Sequence, residues 1–293
     1  MSMKKKTILV TGGAGHVGSH VIEALVTNRN NNVISLDNYF NGREENHLPG
    51  ADYRKGDTKD IDSLITETPD IIYHLGEYAR IAPSFDDVEK VFDMNAVGTF
   101  AVLEFCRKHN VPKLVYSASS TKFTTGEGSK DKNPYSFFKS NNVDLINNYG
   151  NWYGLPYAIC YFYNGFGPRE NGNGKYATLI AKFEQAYLRG DPLTVVKPGT
   201  QKRAFTYVKD LARGIILAGE NGWGDGYAFG VSETYSVYEI AKAFGGQVEL
   251  IDGYPGRLNS PGVSPKARDE LGWHPTVDVI DYIQKFVENH PRT

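Results

Sequence analysis

Val10-Thr11-Gly12-Gly13-Ala14-Gly15-His16-Val17-Gly18 decides the fold of this chain. An apolar run, Thr7–Thr11, stops at the first glycine, and an amphipathic stretch opens at Gly15. Gly13, Gly15 and Gly18 satisfy G-x-G-x-x-G between a strand and a helix, the context that gives the pattern meaning. Glycines there permit a tight turn, close approach of backbone to a pyrophosphate, and close packing of helix on strand. The helix start adds free N–H groups and the positive end of a dipole for phosphates. The next apolar run ends at Asp37, 19 residues after Gly18, where an acid holds adenosine ribose hydroxyls. A carboxylate there repels a 2′-phosphate, so NAD is expected rather than NADP. Arg43, close behind Asp37, is a group able to serve such a phosphate.

Outward from this turn, short apolar runs alternate with longer amphipathic stretches. Thr7–Thr11, Asn32–Asp37, Asp70–Leu75, Lys113–Ser117 and Tyr157–Tyr163 read as strands. Gly15–Asn28, Asp60–Glu67, Val88–His109 and Pro134–Tyr153 read as helices. Repeated βα units with strands this apolar predict an α/β fold, a Rossmann doubly wound parallel sheet with helices on both faces. After Gly167 the pattern changes. A Gly/Asn-rich link, Glu170–Gly174, leads to helices near Lys175–Arg189, Val208–Gly219, Val237–Phe244 and Val277–Asn289, with a strand near Leu193–Val196. The expected division is a NAD-binding Rossmann domain over 1–167 and a smaller C-terminal α+β substrate lobe over 168–293. Some segments of the lobe are expected to thread back to the first domain.

The bulk numbers exclude several classes. At 293 residues the chain can bury a sizeable core. A net charge of −2 and a pI near 6.4 argue against nucleic acid or an anionic membrane as partner. No apolar run approaches the ~18 residues of a membrane span, and the glycines after Ile8-Leu9-Val10 make a poor signal peptide. Cys106 and Cys160, the only two cysteines, sit in apolar segments and read as free buried thiols of a cytoplasmic protein. The seven histidines are scattered, without zinc spacing, so no metal is expected.

A second stretch carries the chemistry. In Asn133-Pro134-Tyr135-Ser136-Phe137-Phe138-Lys139, Pro134 suits a first helical turn. Tyr135 and Lys139 then stand at i and i+4 on one helix face. A nearby cation favours phenolate and lowers a phenol pKa that starts near ~10. Such a tyrosine can take a proton from a sugar hydroxyl.

With the glycine turn and Tyr135/Lys139 in one chain, the sequence resembles the extended short-chain dehydrogenase/reductase family, and most of all nucleotide-sugar epimerases of the UDP-glucose 4-epimerase type. Thr11–Gly18 is similar to T-G-G-x-G-x-x-G, with Gly12, Gly15 and Gly18 as the spaced glycines. Further matches are Leu36-Asp37-Asn38, Gly56-Asp57-Thr58, His74-Leu75-Gly76, Asn95, and the serine-rich Ser117-Ala118-Ser119-Ser120. Tyr161–Arg169, Gln201–Asp210 and Leu271-Gly272-Trp273-His274-Pro275 are similar to the family's Y-F-N-x-x-G-P-R, R-D-F-x-x-V-x-D and L-G-W-x-P.

The resemblance implies roles. Tyr135 is the catalytic base and acid, Lys139 its partner and a ligand of the nicotinamide ribose, and Ser119 the hydroxyl on the reacting sugar oxygen. The cofactor set is Gly12, Gly15, His16, Val17, Gly18, Asp37, Asn38, Asp57, Thr58, Leu75, Gly76 and Asn95. Ser117, Phe162 and Tyr163 complete it around the nicotinamide. Asn164, Thr178, Arg203 and Arg257 join Ser119 on a nucleotide-diphosphate sugar, UDP-linked, with the two arginines on its pyrophosphate, a task guanidinium forks suit. A homodimer is also implied, pairing the helices near Val88–His109 and Pro134–Tyr153, with Phe92, Phe100, Phe105, Phe138 and Trp152 supplying apolar surface for that contact or for the core.

This chain departs from the pattern in places. The loop between Ser119 and Tyr135 spans only 16 positions, which widens the pocket. Ala204 replaces an aspartate beside Arg203, and Asn259 and Ser260 stand where R-x-G-D is common. Dehydratases of the family carry an Asp-Glu pair after the serine, and decarboxylases a glutamate. Here Ser120 and Thr121 follow. Without those carboxylates an oxidised 4-keto sugar can only be reduced again, so epimerisation at C4 is expected. A nucleotide-sugar 4-reductase or dehydrogenase is the alternative, with a decarboxylase or dehydratase behind it. Small residues at Ser260 and Gly262 suggest room for an N-acetylated sugar.

Overall fold

The structure, a computed structural model, describes residues 5–123, 133–253 and 259–291. Its centre is a seven-stranded sheet: β1 (Lys6–Thr11), β2 (Asn31–Asp37), β3 (Ala51–Lys55), β4 (Ile71–His74), β5 (Leu114–Ser119), β6 (Tyr157–Phe162) and a late strand, β11 (Gly224–Phe229). The order is β3-β2-β1-β4-β5-β6-β11, and every pair is parallel. Side chains alternate between faces along each strand, so the apolar runs feed two cores. Leu9, Ile34 and Ile72 pack under α4 (Gly98–His109) and α5 (Pro134–Tyr153). Ile8, Val10 and Val33 pack on the other face under α1 (His16–Val26) and α7 (Val208–Asn221). The strand order reverses direction at β1/β4, and ligands of such sheets bind beyond the strand ends at that point.

Local signals set the helix that carries the chemistry. Asn133 caps α5, accepting the Ser136 N–H at 2.8 Å. Pro134 opens the helix, and Gly154 ends it at φ +69°. The helix before it is continuous from Val88 to His109 but changes pitch: α3 (Val88–Val91) passes through a π-turn, Phe92–Val97, into α4.

The remaining residues build a third core around Phe166, Phe183, Ile240, Phe244 and Ile283. It draws on α6 (Leu179–Arg189), α8 (Val237–Ala243) and α10 (Val279–Asn289). Three short sheets accompany this core, and the first of them joins it to the chain before residue 168. β7 (Asn164–Phe166) pairs with β10 (Phe205–Tyr207), β9 (Lys202–Arg203) with β12 (Tyr235–Ser236), and β8 (Leu193–Val196) with β13 (Val248–Ile251). The chain returns to the first domain after residue 167. α7 packs on α1, β11 extends the main sheet beside β6, and Trp273 rests on Phe229 while donating from Nε1 to the Asp210 carbonyl at 2.8 Å.

Four elements differ from the sequence reading. β3, Ala-Asp-Tyr-Arg-Lys, is an edge strand whose polar residues hide it from an apolar scan. The helix expected over Asp60–Glu67 shrinks to one turn, α2 (Ile61–Leu64), because Ile65 is already extended. A short helix, α9 (Lys266–Leu271), was not anticipated. α6 starts at Leu179 rather than Lys175, because Tyr176–Thr178 is drawn into a turn: Ala177 N bonds Gly174 O, and Arg80 Nε donates to Tyr176 O at 2.7 Å.

Candidate active site

The carboxyl ends of β1, β2, β4, β5 and β6 open on a cleft of about 580 Å³. Its floor is the glycine turn. Gly12 sits at φ +71°, and a Cβ there would lie 2.8 Å from Gly76 Cα. A Cβ on Gly18 would lie 2.1 Å from the Gly12 carbonyl oxygen. Only bare backbone lets the strand end, the turn and α1 meet this closely. α1 has neither a side-chain cap nor an acid in its first turn, so its open N–H groups face the cleft unpaired by side chains. His16 and Val17, its first residues, line the wall. Burial, aided by neighbouring arginines, pushes the His16 imidazole down to about 3, so it is neutral.

At the end of β2, Asp37 is buried and accepts the Ala14 N–H at 2.9 Å and the Tyr39 N–H at 2.8 Å. Burial raises its pKa. Asn38 and Thr58 line the same end, whereas Asp57 stands behind Asn38, accepting from its Nδ2 at 2.6 Å. Arg43 is committed elsewhere, donating to the carbonyls of Arg169 and Glu170. Leu75 and Gly76 line the cleft at the end of β4. Asn95 does not. Inside the π-turn and fully buried, its carboxamide bonds both the N–H and the carbonyl of Tyr78.

β5 and α5 bring the catalytic candidates together. Ser117, Ser119, Tyr135 and Lys139 all line the cleft. Ser119 Oγ accepts from the Thr121 hydroxyl at 2.9 Å, and among the described residues its own hydrogen has no recorded acceptor. Lys139 is buried. Its Nζ donates to the Ser117 carbonyl and to the carboxylate of Glu77. Glu77 escaped the sequence reading. It stands one residue beyond Gly76, and 62 positions separate it from Lys139; the only sequence signal is a carboxylate in an otherwise apolar loop.

Phe162 and Tyr163 follow at the end of β6, the Tyr163 hydroxyl donating to Gly262 O at 2.7 Å. On the lobe side, Asn164, Thr178 and Arg203 line the cleft. Asn164 Nδ2 donates to Ala204 O at 2.8 Å, and burial lowers the Arg203 pKa. Asn259 and Ser260 brace β9 here, accepting the backbone N–H groups of Lys202 and Ala204. Arg257 lies outside the described residues. Besides Glu77, three charged lining residues were not among the site candidates: Arg80, Lys182 and Glu170, whose carboxyl burial pushes up to about 8.

The family model described as "NAD dependent epimerase/dehydratase family" matches residues 8–230. A UDP-glucose 4-epimerase of Mycolicibacterium smegmatis is 30% identical over 96% of this chain and 97% of its own. UDP-glucuronic acid decarboxylase 6 of Arabidopsis thaliana is 30% identical over 96% of this chain and 88% of its own. The crystal structure of the Thermus thermophilus UDP-glucose 4-epimerase in complex with NAD superposes with a TM-score of 0.85 at 28% identity, covering 97% of this chain and 98% of that one.

Proposed function

The chain belongs to the NAD dependent epimerase/dehydratase family, and from that premise we propose that it inverts the C4 hydroxyl of a UDP-linked sugar. The observation that carries this reading is the convergence of Ser119, Tyr135 and Lys139 on the wall of a cleft whose floor is the glycine turn. Relatives named as UDP-glucose 4-epimerases, one of them solved with NAD, support both the nucleotide and the cofactor.

The residues fit NAD. Gly12 and Gly18 let the turn close tightly, since a Cβ on either would strike neighbouring backbone, α1 offers unpaired N–H groups for the pyrophosphate, and Asp37 offers carboxylate oxygens to the ribose hydroxyls. Asn38, Thr58, Leu75, Gly76, Ser117, Phe162 and Tyr163 line the rest of its bed. Bound NAD supplies a hydride acceptor that also returns the hydride. The chain's own groups move the proton. Tyr135 takes it from the 4-hydroxyl and gives it back, while Ser119 donates its free hydrogen to the same oxygen. Lys139 holds the nicotinamide ribose and favours the phenolate by its charge. Arg203 grips the sugar diphosphate, with Asn164 and Thr178 beside it and Arg257 assigned to the same task.

The residues after Ser119 support epimerisation over elimination or decarboxylation. Ser120 and Thr121 bring hydroxyls, and Thr121 spends one on Ser119. An N-acetylated sugar is part of the proposal, on the small residues Ser260 and Gly262; the carbonyl of Gly262 accepts from the Tyr163 hydroxyl at the cleft wall. The lobe beyond residue 167 is assigned to the substrate. A homodimer through α4 and α5 is part of the proposal, supported by Phe92, Phe100 and Trp152 at 52%, 51% and 60% exposure, whereas Phe105 is in the core. Cytoplasmic residence is supported by the two free buried cysteines. No helix among the described residues is long and apolar enough to cross a membrane.

The test is Tyr135→Phe, assayed with UDP-glucose and UDP-N-acetylglucosamine. Turnover should vanish while NAD stays bound. Normal activity in the variant refutes the assignment, and steady net gain or loss of NADH in the wild type points to a reductase instead.

A further inference from the structure

Glu77 has no role in the reaction as derived so far, yet it is the most heavily bonded carboxylate near the reacting groups. Its side chain is 1% exposed and that of Lys139 is 6% exposed. Oε2 accepts from Lys139 Nζ, and Oε1 accepts from Thr99 Oγ1 at 3.0 Å, Tyr116 OH at 3.0 Å and Asn142 Nδ2 at 2.9 Å. Every one of these partners is a donor. The directions extend further. Because the Thr99 hydroxyl donates to Glu77, its oxygen must accept from His74 Nε2, at 3.0 Å. His74 Nδ1 is then an acceptor for the Thr11 hydroxyl at 2.7 Å, and Thr11 Oγ1 in turn accepts the N–H groups of Leu75 and Gly76. The chain of bonds therefore runs from the cofactor turn into Glu77 Oε1 without a reversal, and Oε2 is left to face Lys139.

We propose that Glu77 is a positioning residue of the catalytic centre: it is the counter-ion that keeps Lys139 an ammonium and aims it. The inference rests on the epimerase reading given above. An ammonium has three hydrogens. The Glu77 carboxylate and the Ser117 carbonyl take two, which leaves one, in only a long 3.5 Å contact with Ser117 Oγ, for the nicotinamide ribose. Charge matters as much as direction. A buried ammonium beside the positive ring of an oxidised nicotinamide is penalised by burial and by like charge together. A carboxylate on its far side offsets both. The titratable and charged groups around the pair are His74 on β4, Tyr116 on β5, Tyr135 on α5 and, coupled to Tyr135, Arg80 in the loop after β4. Burial holds His74 neutral and Tyr116 protonated, so neither substitutes for the missing charge.

The test is Glu77→Gln, which keeps the shape and removes the charge. We expect kcat at pH 7 to fall about 10²-fold, with KM little changed, and the rising limb of the rate–pH profile to move about one unit toward alkaline pH. In protein labelled with ¹⁵N-lysine, the Nζ signal assigned by its loss in Lys139→Met should pass to its amine position at lower pH than in wild type. Glu77→Asp, which keeps the charge, should recover part of both effects, and it carries the test by an intermediate shift if Glu77→Gln does not fold. A wild-type rate profile and a wild-type Lys139 signal in folded Glu77→Gln, or in Glu77→Asp where Glu77→Gln does not fold, overturn the proposal. Failure of the wild type to turn over any UDP-sugar sinks the epimerase reading instead, and the lysine signal still decides the coupling of Glu77 to Lys139.

Discussion

Replacing Gly12 by alanine separates two reasons for a glycine at one position. Gly12 lies at φ +71°, and a Cβ would meet Gly76 Cα and N at 2.8 Å and Leu75 C at 2.9 Å. Gly154 lies at φ +69° with nothing within 4 Å of the same added atom. Gly154→Ala therefore bears only the strain of a left-handed L-residue, about 1 kcal/mol. Gly12→Ala bears that strain plus an overpacking term of about 2 kcal/mol, because its neighbours are backbone and cannot rotate away. At about 2 °C per kcal/mol for a chain of this size, the melting temperature should drop by about 2 °C for Gly154→Ala and about 6 °C for Gly12→Ala. Because the strain in Gly12→Ala is relieved by moving the turn that cradles the pyrophosphate, NAD affinity should also fall, by about tenfold or more, while Gly154→Ala binds normally. Calorimetric melting and titration with NAD read both quantities. Equal melting temperatures in the two variants, or full NAD affinity in Gly12→Ala, would refute the reasoning.

The other predictions concern linkage and assembly. Burial lowers the His74 pKa to about 4 from the usual 6.5, so the unfolded chain binds the extra proton first. His74 thus contributes stability at neutral pH that is lost as pH falls from about 6.5 to about 4, on the order of 3 kcal/mol in all. Thermal melts of His74→Gln against pH should show a shallower fall over that window, and parallel curves would count against it; His16, lowered to about 3, keeps some slope in both proteins. Phe100→Lys places a charge on the exposed face of α4 and should convert a dimer to a folded monomer in sedimentation. An unchanged sedimentation coefficient would remove that face from the proposed contact.

How much was legible in the sequence depended on how local the signal was. α5 runs over Pro134–Tyr153 as its cap, proline and terminal glycine dictate, because all three lie within the segment they define. The glycine turn and Asp37 were readable for the same reason, being set by one βαβ unit. β3 was not, since at a sheet edge Asp52, Arg54 and Lys55 reach solvent and erase the apolar alternation. α6 was read too long because the tie from Arg80 to the Tyr176 carbonyl spans 96 positions. Glu77 shows the limit most clearly. The motif supplied the lysine, but its counter-ion comes from a loop after another strand, and only the parallel pairing of β4 with β5 brings the two under one cleft.

Overall similarity does not choose between reactions here, since an epimerase and a decarboxylase are each 30% identical to the chain. The choice comes from a few atoms around C4. Elimination or decarboxylation needs a carboxyl group free to exchange protons beside the serine. Besides Asp37 at the ribose end, two carboxyl groups among the described residues line the cleft, and their surroundings tell against both. Glu77 is saturated by donors beneath Lys139, and releasing it would strand a buried ammonium. Glu170 is attached to the lobe side, where it accepts the Gly167 N–H at 3.4 Å and sits beside Thr178, away from Ser119 on β5. On the proposed reading, the hydroxyls of Ser119 and Tyr135 remain as the groups that act on the sugar. They can move one proton out and back, which is what inversion at C4 requires and no more.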